Sequence, residues 1–226
     1  MQQPVIHNTA DLAQSAFGKV LVYGKTDMGK THLISTAPAP IVLSAEAGLI
    51  TLRRFNIPYI IVKNRADVAN AYNWLKGSNE ARQFATPCLD SLTEIAELFL
   101  AEIKLTCKDG RQVYGLLAEQ MFQVIRDFRD LQYNVYMSAQ QEFEKDDFSG
   151  MMINRAKMPG KQLGASLPYF FDEVLQATKV VSPQGQSYRV LKTQADPAND
   201  AKDRSGNLDP IEEPHLGKIF AKIKST

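Results

Sequence analysis

Residues 24–31 read Gly24-Lys25-Thr26-Asp27-Met28-Gly29-Lys30-Thr31 and match the pattern G-x-x-x-x-G-K-[ST] in full. An apolar run ending in glycine, KVLVYG at 19–24, precedes the motif, and a short helical pattern at 31–37 follows it. In this strand–loop–helix context the pattern forms a loop whose backbone N–H groups surround phosphate oxygens. The stretch therefore predicts a phosphate-binding loop within an α/β fold.

Each part of the loop has an expected role in holding ATP with Mg²⁺, and we expect all eight residues to contact the nucleotide. The glycines let the backbone turn inward, and the start of the next helix adds a positive dipole end. Lys30 is expected to reach the β- and γ-phosphates, and the Thr31 hydroxyl is expected to bind Mg²⁺. Asp27 is unusual, because a carboxylate repels a triphosphate unless it faces solvent or a neighbour such as Lys25 offsets its charge.

Strand and helix patterns alternate along the rest of the chain. Strands are predicted at 19–24, 41–44, 58–63, 88–89, 134–138, 170–181 and 186–193, and helices at 31–37, 65–76, 92–105, 116–131 and 216–223. This alternation favours a mainly parallel sheet covered by helices on both faces. The last two strands are joined through the turn sequence SPQG, which predicts an antiparallel C-terminal hairpin that extends the sheet.

Length and composition limit the classes of protein that fit. The chain has 226 residues with 26 basic and 25 acidic side chains, which excludes a strongly basic nucleic-acid coat but not a local basic surface. Two cysteines, Cys88 and Cys107, cannot form a disulfide framework and are expected to be reduced. No apolar run reaches the roughly 18 residues of a membrane span, and the first residues lack a signal-peptide layout. We expect a cytoplasmic protein without membrane contact.

Three polar residues follow predicted strands, where the carboxyl ends of a parallel sheet converge on a ligand. Asp90 fits a Mg²⁺-binding aspartate, with a helix N-cap as the alternative role, although Pro87 is unusual in the strand before it. Glu46 could polarise the attacking water, or be a solvated loop carboxylate. Gln140 could sense the γ-phosphate, or be a surface amide at the start of a loop.

Taken together, the four motifs stand in the order found in RecA-like ATPases. The chain resembles more specifically the short phage ATPases of the Sak type, which are single-strand annealing or phage nucleotide-binding proteins. The strings that carry this resemblance are AEAGLITLR, LDSLTEIAE, FRDLQYNVYMSAQQE, PGKQLGASLPYFFDEV and AKDRSG, within residues 18–220. The resemblance implies a catalytic role for Glu46 and a γ-phosphate switch at Gln140. If the chain is encoded by a phage, its compartment is the host cytoplasm.

The resemblance also implies a division of the chain into parts with different tasks. We expect one RecA-like domain over 1–226, with a nucleotide-binding core at 18–140, a DNA-binding loop at 141–165, and a hairpin, finger loop and closing helix at 166–226. The middle segment joins aromatic and cationic side chains, which suits sequence-tolerant binding of single-stranded DNA, although four acidic residues make it roughly neutral. The expected DNA contacts are Phe143, Phe148, Arg155, Lys157 and Lys161.

The sequence Lys202-Asp203-Arg204 lies in the last polar segment. Ring and filament members of the RecA-like superfamily insert such a cationic finger into the ATP site of a neighbour, where it stabilises transferring phosphoryl charge. A solvated turn is the alternative. A finger would make ATP hydrolysis depend on a homo-oligomer, either a ring or a filament.

Four functions remain open at this point. The first is an ATP-dependent single-stranded-DNA-binding protein of recombination or annealing, with DNA-stimulated hydrolysis and a separate single-stranded-DNA-binding protein as a further partner. The others are a ring-type DNA motor or loader, a small-molecule P-loop kinase with a lid over 140–165, and a nucleotide switch. Glu46 and Gln140 suit attack by water and so favour hydrolysis over transfer to an acceptor.

Overall fold

A computed structural model of the chain describes residues 17–46, 48–145 and 150–225. The strands are β1 (Lys19–Gly24), β2 (Pro40–Ser44), β3 (Tyr59–Ile61), β4 (Thr86–Asp90), β5 (Val135–Lys145), β6 (Met152–Ala156), β7 (Glu173–Val181), β8 (Ser187–Lys192), β9 (Lys202–Asp203) and β10 (Ile211–Glu212). The α-helices are α1 (Lys30–Leu33), α2 (Arg65–Gly77), α3 (Leu92–Thr106), α4 (Gly110–Arg129), α5 (Lys161–Ser166) and α6 (Leu216–Ile223). Four 3₁₀ segments of the described residues lie at Ile34–Thr36, Gly48–Phe55, Glu80–Gln83 and Leu167–Phe170.

Strand β1 lies inside a sheet of order β10-β8-β7-β1-β5-β4-β2-β3. Every pairing from β7 through to β3 is parallel. Strand β8 pairs antiparallel with β7, and β10 pairs antiparallel with β8. The predicted mainly parallel sheet with an antiparallel C-terminal extension is confirmed.

Alternation along β1 explains why helices cover both faces. Leu21 and Tyr23 point into one apolar cluster, with α2, α3 and α4, while Val20 and Val22 point into a second, with α1 and α6. All four side chains are fully buried. A strand that is buried on both faces has no polar side and reads as a continuous apolar run.

The strand register places the carboxyl ends of β1, β2 and β4 close to Gln140, which lies inside β5. Gly24 of β1 is level with Gln140 of β5, and Ser44 of β2 is level with Asp90 of β4. Because these strands are parallel and adjacent, the chain leaves the sheet at neighbouring points of one edge. The phosphate-binding motif and the three polar candidates of the sequence therefore meet at that edge.

The expectation of a loop over 141–165 is wrong. Strand β5 continues to Lys145, β6 returns antiparallel beside it, and α5 follows. The outer half of β5 is exposed or half-buried, so both faces carry polar side chains and no period-two hydrophobic pattern marks it. We call β5 from Gln141 onward, together with β6, the β5–β6 hairpin; residues 146–149 lie outside the described residues.

Other differences concern the boundaries of elements. Helix α4 begins at Gly110 instead of 116, because Asp109 caps it by accepting a hydrogen bond from the Arg111 N–H at 2.9 Å. Pro87 does lie in β4, at its second residue, and pairing with β5 begins only at Cys88. A proline is tolerated at such a strand start. The segment expected as a finger loop holds β9, which pairs with Glu173 and Val174 of β7.

Candidate functional site

Asp90 is the centre of the buried part of the site. Its side chain is 3% exposed, and it accepts hydrogen bonds from the hydroxyls of Thr31, at 2.8 Å, and Ser138. Burial raises the pKa of the Asp90 carboxyl, and the Ser138 and Thr31 hydrogen bonds oppose that rise. The Thr31 hydroxyl and the Asp90 carboxylate are hard oxygen donors, which are the ligands that Mg²⁺ prefers.

Lys30 lies in the bend of the loop. Its Nζ donates to the carbonyl oxygens of Gly24 at 2.7 Å and Lys25 at 3.0 Å, and Tyr136 OH donates to the Lys30 carbonyl at 2.9 Å. Burial lowers the pKa of the Lys30 ammonium, while the charges of Asp90 and Glu46 raise it. Gly29 has φ 84°, a left-handed conformation that glycine adopts freely. The loop is thus shaped around a half-buried cation.

Glu46 follows β2 and faces the same cavity. Its Oε1 accepts a hydrogen bond from Ser91 Oγ at 2.5 Å, and the Ser44 hydroxyl donates to the Glu46 carbonyl at 2.7 Å. The Asp90–Ser91 peptide bond is cis. Ser91 also caps α3, accepting from the Glu94 N–H at 3.4 Å. The helix N-cap, which was the alternative role for Asp90, is therefore Ser91, and the Asp90 carboxylate is bound by the hydroxyls of Thr31 and Ser138.

Gln140 lies in β5 beyond its buried half. Its Nε2 donates to Glu94 Oε1 at 2.8 Å, and its backbone N–H donates to Thr93 Oγ1 at 3.0 Å. The Gln140 carbonyl accepts from the Lys157 N–H at 2.8 Å. Gln140 is thus tied both to the start of α3 and to the end of the β5–β6 hairpin.

One open cavity of about 680 Å³, which we call the phosphate cavity, contains these groups. Its lining residues are Thr26, Asp27, Gly29, Lys30, Thr31, His32, Glu46, Gly48, Thr51, Arg54, Asp90, Ser91, Gln140 and Arg189. A second cavity of about 510 Å³ lies next to it and is lined by Met28, Tyr188 and Pro214 among others. The two cavities share Gly29, His32 and Arg189. The phosphate-binding loop therefore has two compartments beside it: the phosphate cavity, which is lined by polar residues, and the second cavity, which is partly apolar.

The charge of Asp27 is offset by residues that sequence reasoning missed. The Asp27 side chain is 71% exposed and forms ion pairs with Lys179 Nζ at 3.1 Å and Arg189 Nη2 at 3.0 Å. The Lys179 hydrogen bond is the main cause of a lowered Asp27 pKa, with a further contribution from Arg189. Lys25, which the sequence suggested for this task, contacts the Lys30 ammonium through its carbonyl instead. No sequence signal joins these residues, because 152 and 162 positions separate Asp27 from its two partners.

The expected DNA-contact residues are dispersed over the β5–β6 hairpin and its base. Phe143 is 61% exposed, and Lys157 and Lys161 are exposed. Arg155 is mostly buried, with Glu144 at 3.6 Å and Asp200 at 3.4 Å from its guanidinium. Phe148 lies outside the described residues.

Lys202 and Arg204 lie at the opposite edge of the sheet from the phosphate cavity. Lys202 Nζ donates to the carbonyls of Pro168 at 3.1 Å and Phe171 at 2.8 Å. Arg204 forms an ion pair with Asp172 at 3.0 Å. The structure therefore does not bring them to the cavity of their own chain. A finger role toward a neighbour stays a prediction, and it requires specific ATPase activity to rise steeply with protein concentration.

A buried carboxyl pair lies beneath this segment. Glu173 is fully buried, and among the described residues no donor reaches its Oε2. Burial, with Asp203 beside it, raises the pKa of Glu173 to about 8. Asp203 accepts hydrogen bonds from the backbone of Gly206 and Leu208, and its pKa is lowered. The proton of the pair therefore stays on Glu173, which can donate it to Asp203.

This pair predicts a pH dependence of stability. Between the ordinary value of 4.5 and about 8, folded Glu173 keeps a proton that the unfolded chain releases, so stability falls as pH rises through this window. In Glu173→Gln the amide replaces the protonated acid, and this slope disappears. From pH 5.5 to 8.5 we expect the Tm difference to shift toward the variant by about 5–10 °C, on the order of 2–3 kcal/mol. If the Tm of the wild type and that of Glu173→Gln changed in parallel with pH, Glu173 would be ionised in the folded state over this range.

The part of the chain that the structure describes holds neither a membrane-spanning helix nor a cluster of metal-ligating side chains. No helix in the described part is long and apolar enough to cross a membrane. Likewise, no group of three or more His, Cys, Asp or Glu side chains at residues 17–46, 48–145 and 150–225 is arranged to hold a metal ion. Cys88 is buried and Cys107 is half-buried, and both are free thiols.

Comparison with known proteins agrees with this geometry. A family model described as "AAA domain" matches residues 16–205. The match includes the phosphate-binding loop, the ends of β2, β4 and β5, and the β5–β6 hairpin. No curated protein matches the chain.

Proposed function

Since the chain belongs to the AAA domain family of P-loop ATPases, we propose that it couples ATP hydrolysis to binding of single-stranded DNA in phage-type recombination or annealing. The resemblance to the Sak-type proteins supports the finer part of this proposal. We further propose that the working form is a homo-oligomer, in which Lys202 and Arg204 of one subunit act on its neighbour.

The residues around the phosphate cavity fit ATP with Mg²⁺. Lys30 would offer its ammonium to the phosphates, and Thr31 and Asp90 would offer the metal a hydroxyl and a carboxylate oxygen. When bound, Mg²⁺ neutralises negative charge on the phosphates. Glu46 accepts a proton from the attacking water, and the Ser91 hydroxyl orients that carboxylate. Gln140 provides an amide that can report on the terminal phosphate.

The observation that carries the DNA proposal is the continuity of β5. Gln140 lines the phosphate cavity, and the next residue of the same strand begins the β5–β6 hairpin. The Gln140 carbonyl also holds the N–H of Lys157, so a shift of Gln140 moves both sides of the hairpin base. A nucleotide-dependent contact at Gln140 would therefore change the position of the surface that we assign to DNA.

The two faces of the hairpin differ in charge. Strand alternation and the register put Phe143, Lys145 and Met152 on one face, and they put Glu142, Glu144 and Arg155 on the other. Burial, with the nearby Glu144, raises the pKa of Glu142. The described acidic residues of the hairpin are thus confined to the face of Arg155. The Phe143 face combines an exposed aromatic ring with a cation, which suits stacking of unpaired bases.

We expect Phe143→Ala to weaken binding of a fluorescent oligothymidine about tenfold, since stacking on an aromatic side chain contributes about 1–3 kcal/mol per base. In the variant with Lys157→Ala and Lys161→Ala, the plot of log binding constant against log salt concentration should be less steep by about 1.4. Each phosphate contact with a single strand contributes about 0.7 to that slope. Anisotropy titrations at several salt concentrations measure both effects. The matched control is Tyr59→Ala, an exposed aromatic on edge strand β3.

ATP turnover with and without the oligonucleotide tests the proposed function itself. We expect the DNA to stimulate turnover several-fold, and we expect Phe143→Ala to lose most of that stimulation while keeping basal turnover. A chain that hydrolyses ATP at the same rate with and without DNA, and that binds no oligonucleotide, would contradict the proposal.

One observation favours the kinase alternative. An apolar cavity of about 630 Å³, lined by Leu49, Ile50, Ile57 and Tyr59 among others, opens beside Glu46. A small apolar acceptor in that cavity would lie next to the proposed base. DNA-independent ATP consumption that requires such an acceptor would establish this alternative.

A further inference from the structure

Lys179 and Arg189 form a pair of cations on the hairpin made by β7 and β8, which we call the β7–β8 hairpin. The two residues are register partners on adjacent antiparallel strands, so their side chains share one face. Like charges directly opposite one another destabilise a strand pair unless an anion lies between them. Here that anion is Asp27, with Lys179 Nζ at 3.1 Å from Oδ2 and Arg189 Nη2 at 3.0 Å from Oδ1.

Arg189 also extends over the phosphate-binding loop. Its Nε donates to the Asp27 carbonyl at 3.2 Å, and a Cβ placed on Gly29 would lie 3.3 Å from Arg189 Cδ and 3.5 Å from Nε. The side chain lines both the phosphate cavity and the neighbouring cavity. A polyphosphate running between the two compartments would therefore pass the guanidinium.

The contact with Asp27 is exposed and easy to break. The side chains of Lys179 and Arg189 are 40% and 41% exposed, and exposed ion pairs contribute little to stability. A carboxylate carries one negative charge, whereas a nucleoside triphosphate carries several and offers paired oxygens to a guanidinium. The electrostatic attraction of Lys179 and Arg189 to a triphosphate is therefore expected to exceed their attraction to Asp27.

We propose that Lys179 and Arg189 form a phosphate clamp acting within the same chain, and that Asp27 competes with the nucleotide for it. Without nucleotide, Asp27 pairs with both cations and keeps them against the phosphate-binding loop. A bound triphosphate replaces Asp27 as the partner of both cations. Asp27 then turns to solvent, and the β7–β8 hairpin becomes tied to the nucleotide instead of to the loop. The inference rests on the proposed function, because it requires a nucleoside triphosphate at Lys30.

A double-mutant cycle on the affinity for Mg²⁺–ATP separates this competition from simple repulsion between Asp27 and the phosphates. Calorimetric titration supplies the affinities without any need for turnover. We expect Asp27→Asn to bind about tenfold more tightly than the wild type, and Lys179→Met with Arg189→Met to bind about tenfold more weakly. Adding Asp27→Asn to the doubly substituted chain should change affinity less than twofold, because no clamp remains to be released.

The competing outcomes are distinct. A tenfold gain from Asp27→Asn in both backgrounds would mean plain repulsion and would overturn the clamp, leaving the proposed function intact. A wild-type chain that binds no nucleotide would remove the proposed function and the clamp together. Arg129→Met with Asp130→Asn is the matched control, since this exposed ion pair at the end of α4 lies away from both cavities. That control should bind ATP as the wild type does.

Discussion

Lys30→Ala is expected to lower ATP turnover by about 10²–10³-fold, the loss that follows removal of one preorganised group from developing negative charge. The ammonium is half-buried, and two loop carbonyls at 2.7 and 3.0 Å hold it in place. Asp90 and Glu46 favour its charged form although burial disfavours it. Alanine removes the cation that offsets the charges of those two carboxylates, so we expect nucleotide affinity to fall as well.

Single-turnover hydrolysis and displacement of a fluorescent nucleotide measure these two losses. Lys104→Ala removes an exposed lysine from α3 and serves as the control for a change of net charge. Wild-type turnover in Lys30→Ala would show that the cavity around the loop is not where hydrolysis occurs.

The second large effect is expected from Glu46→Gln, which separates binding from chemistry. A positioned general base contributes about 10²–10⁴-fold to a rate, so turnover should fall within that range while nucleotide affinity changes less than about twofold. The glutamine oxygen can still accept from Ser91 Oγ, which keeps the side chain in place. What is lost is the ability to take a proton from water, together with one negative charge near Lys30.

Pre-steady-state turnover beside equilibrium nucleotide binding checks this separation. Glu97→Gln, an exposed glutamate on α3, is the matched control. If Glu46→Gln loses less than about fivefold in turnover, another group activates the water and Glu46 is a loop carboxylate that borders the cavity.

The edge of the sheet that carries the site could be predicted because its signals are local. The loop motif occupies eight consecutive residues, and Glu46, Asp90 and Gln140 each follow an apolar strand segment. Parallel strands bring such positions together whatever the details of the fold. Ser138 could have been found in the same way, since it is the polar residue within an apolar strand and it donates to Asp90.

The remaining features depend on pairings between distant parts of the chain. The contact of Asp27 with Lys179 and Arg189 exists only because β7 and β8 fold back beside β1. The β5–β6 hairpin could not be predicted from the sequence, because both of its faces carry polar residues and hydrophobic alternation is absent. The intrachain partners of Lys202 and Arg204 likewise come from the segment before β7, and no local pattern indicates them.

The central place of β1 has a consequence for how the molecule folds. Its ladders join Lys19 to Val135 on one side and Val20 to Glu173 on the other, so both neighbours come from far along the chain. Closing such long loops costs chain entropy before any stabilising contact forms, and folding slows as contact order rises. Helices such as α3 and α4 can form early from local contacts, but the strand that ends in the phosphate-binding loop cannot. Nucleotide-binding competence should therefore be acquired at the end of folding, and a refolding assay that reports ATP binding should lag behind one that reports helix content.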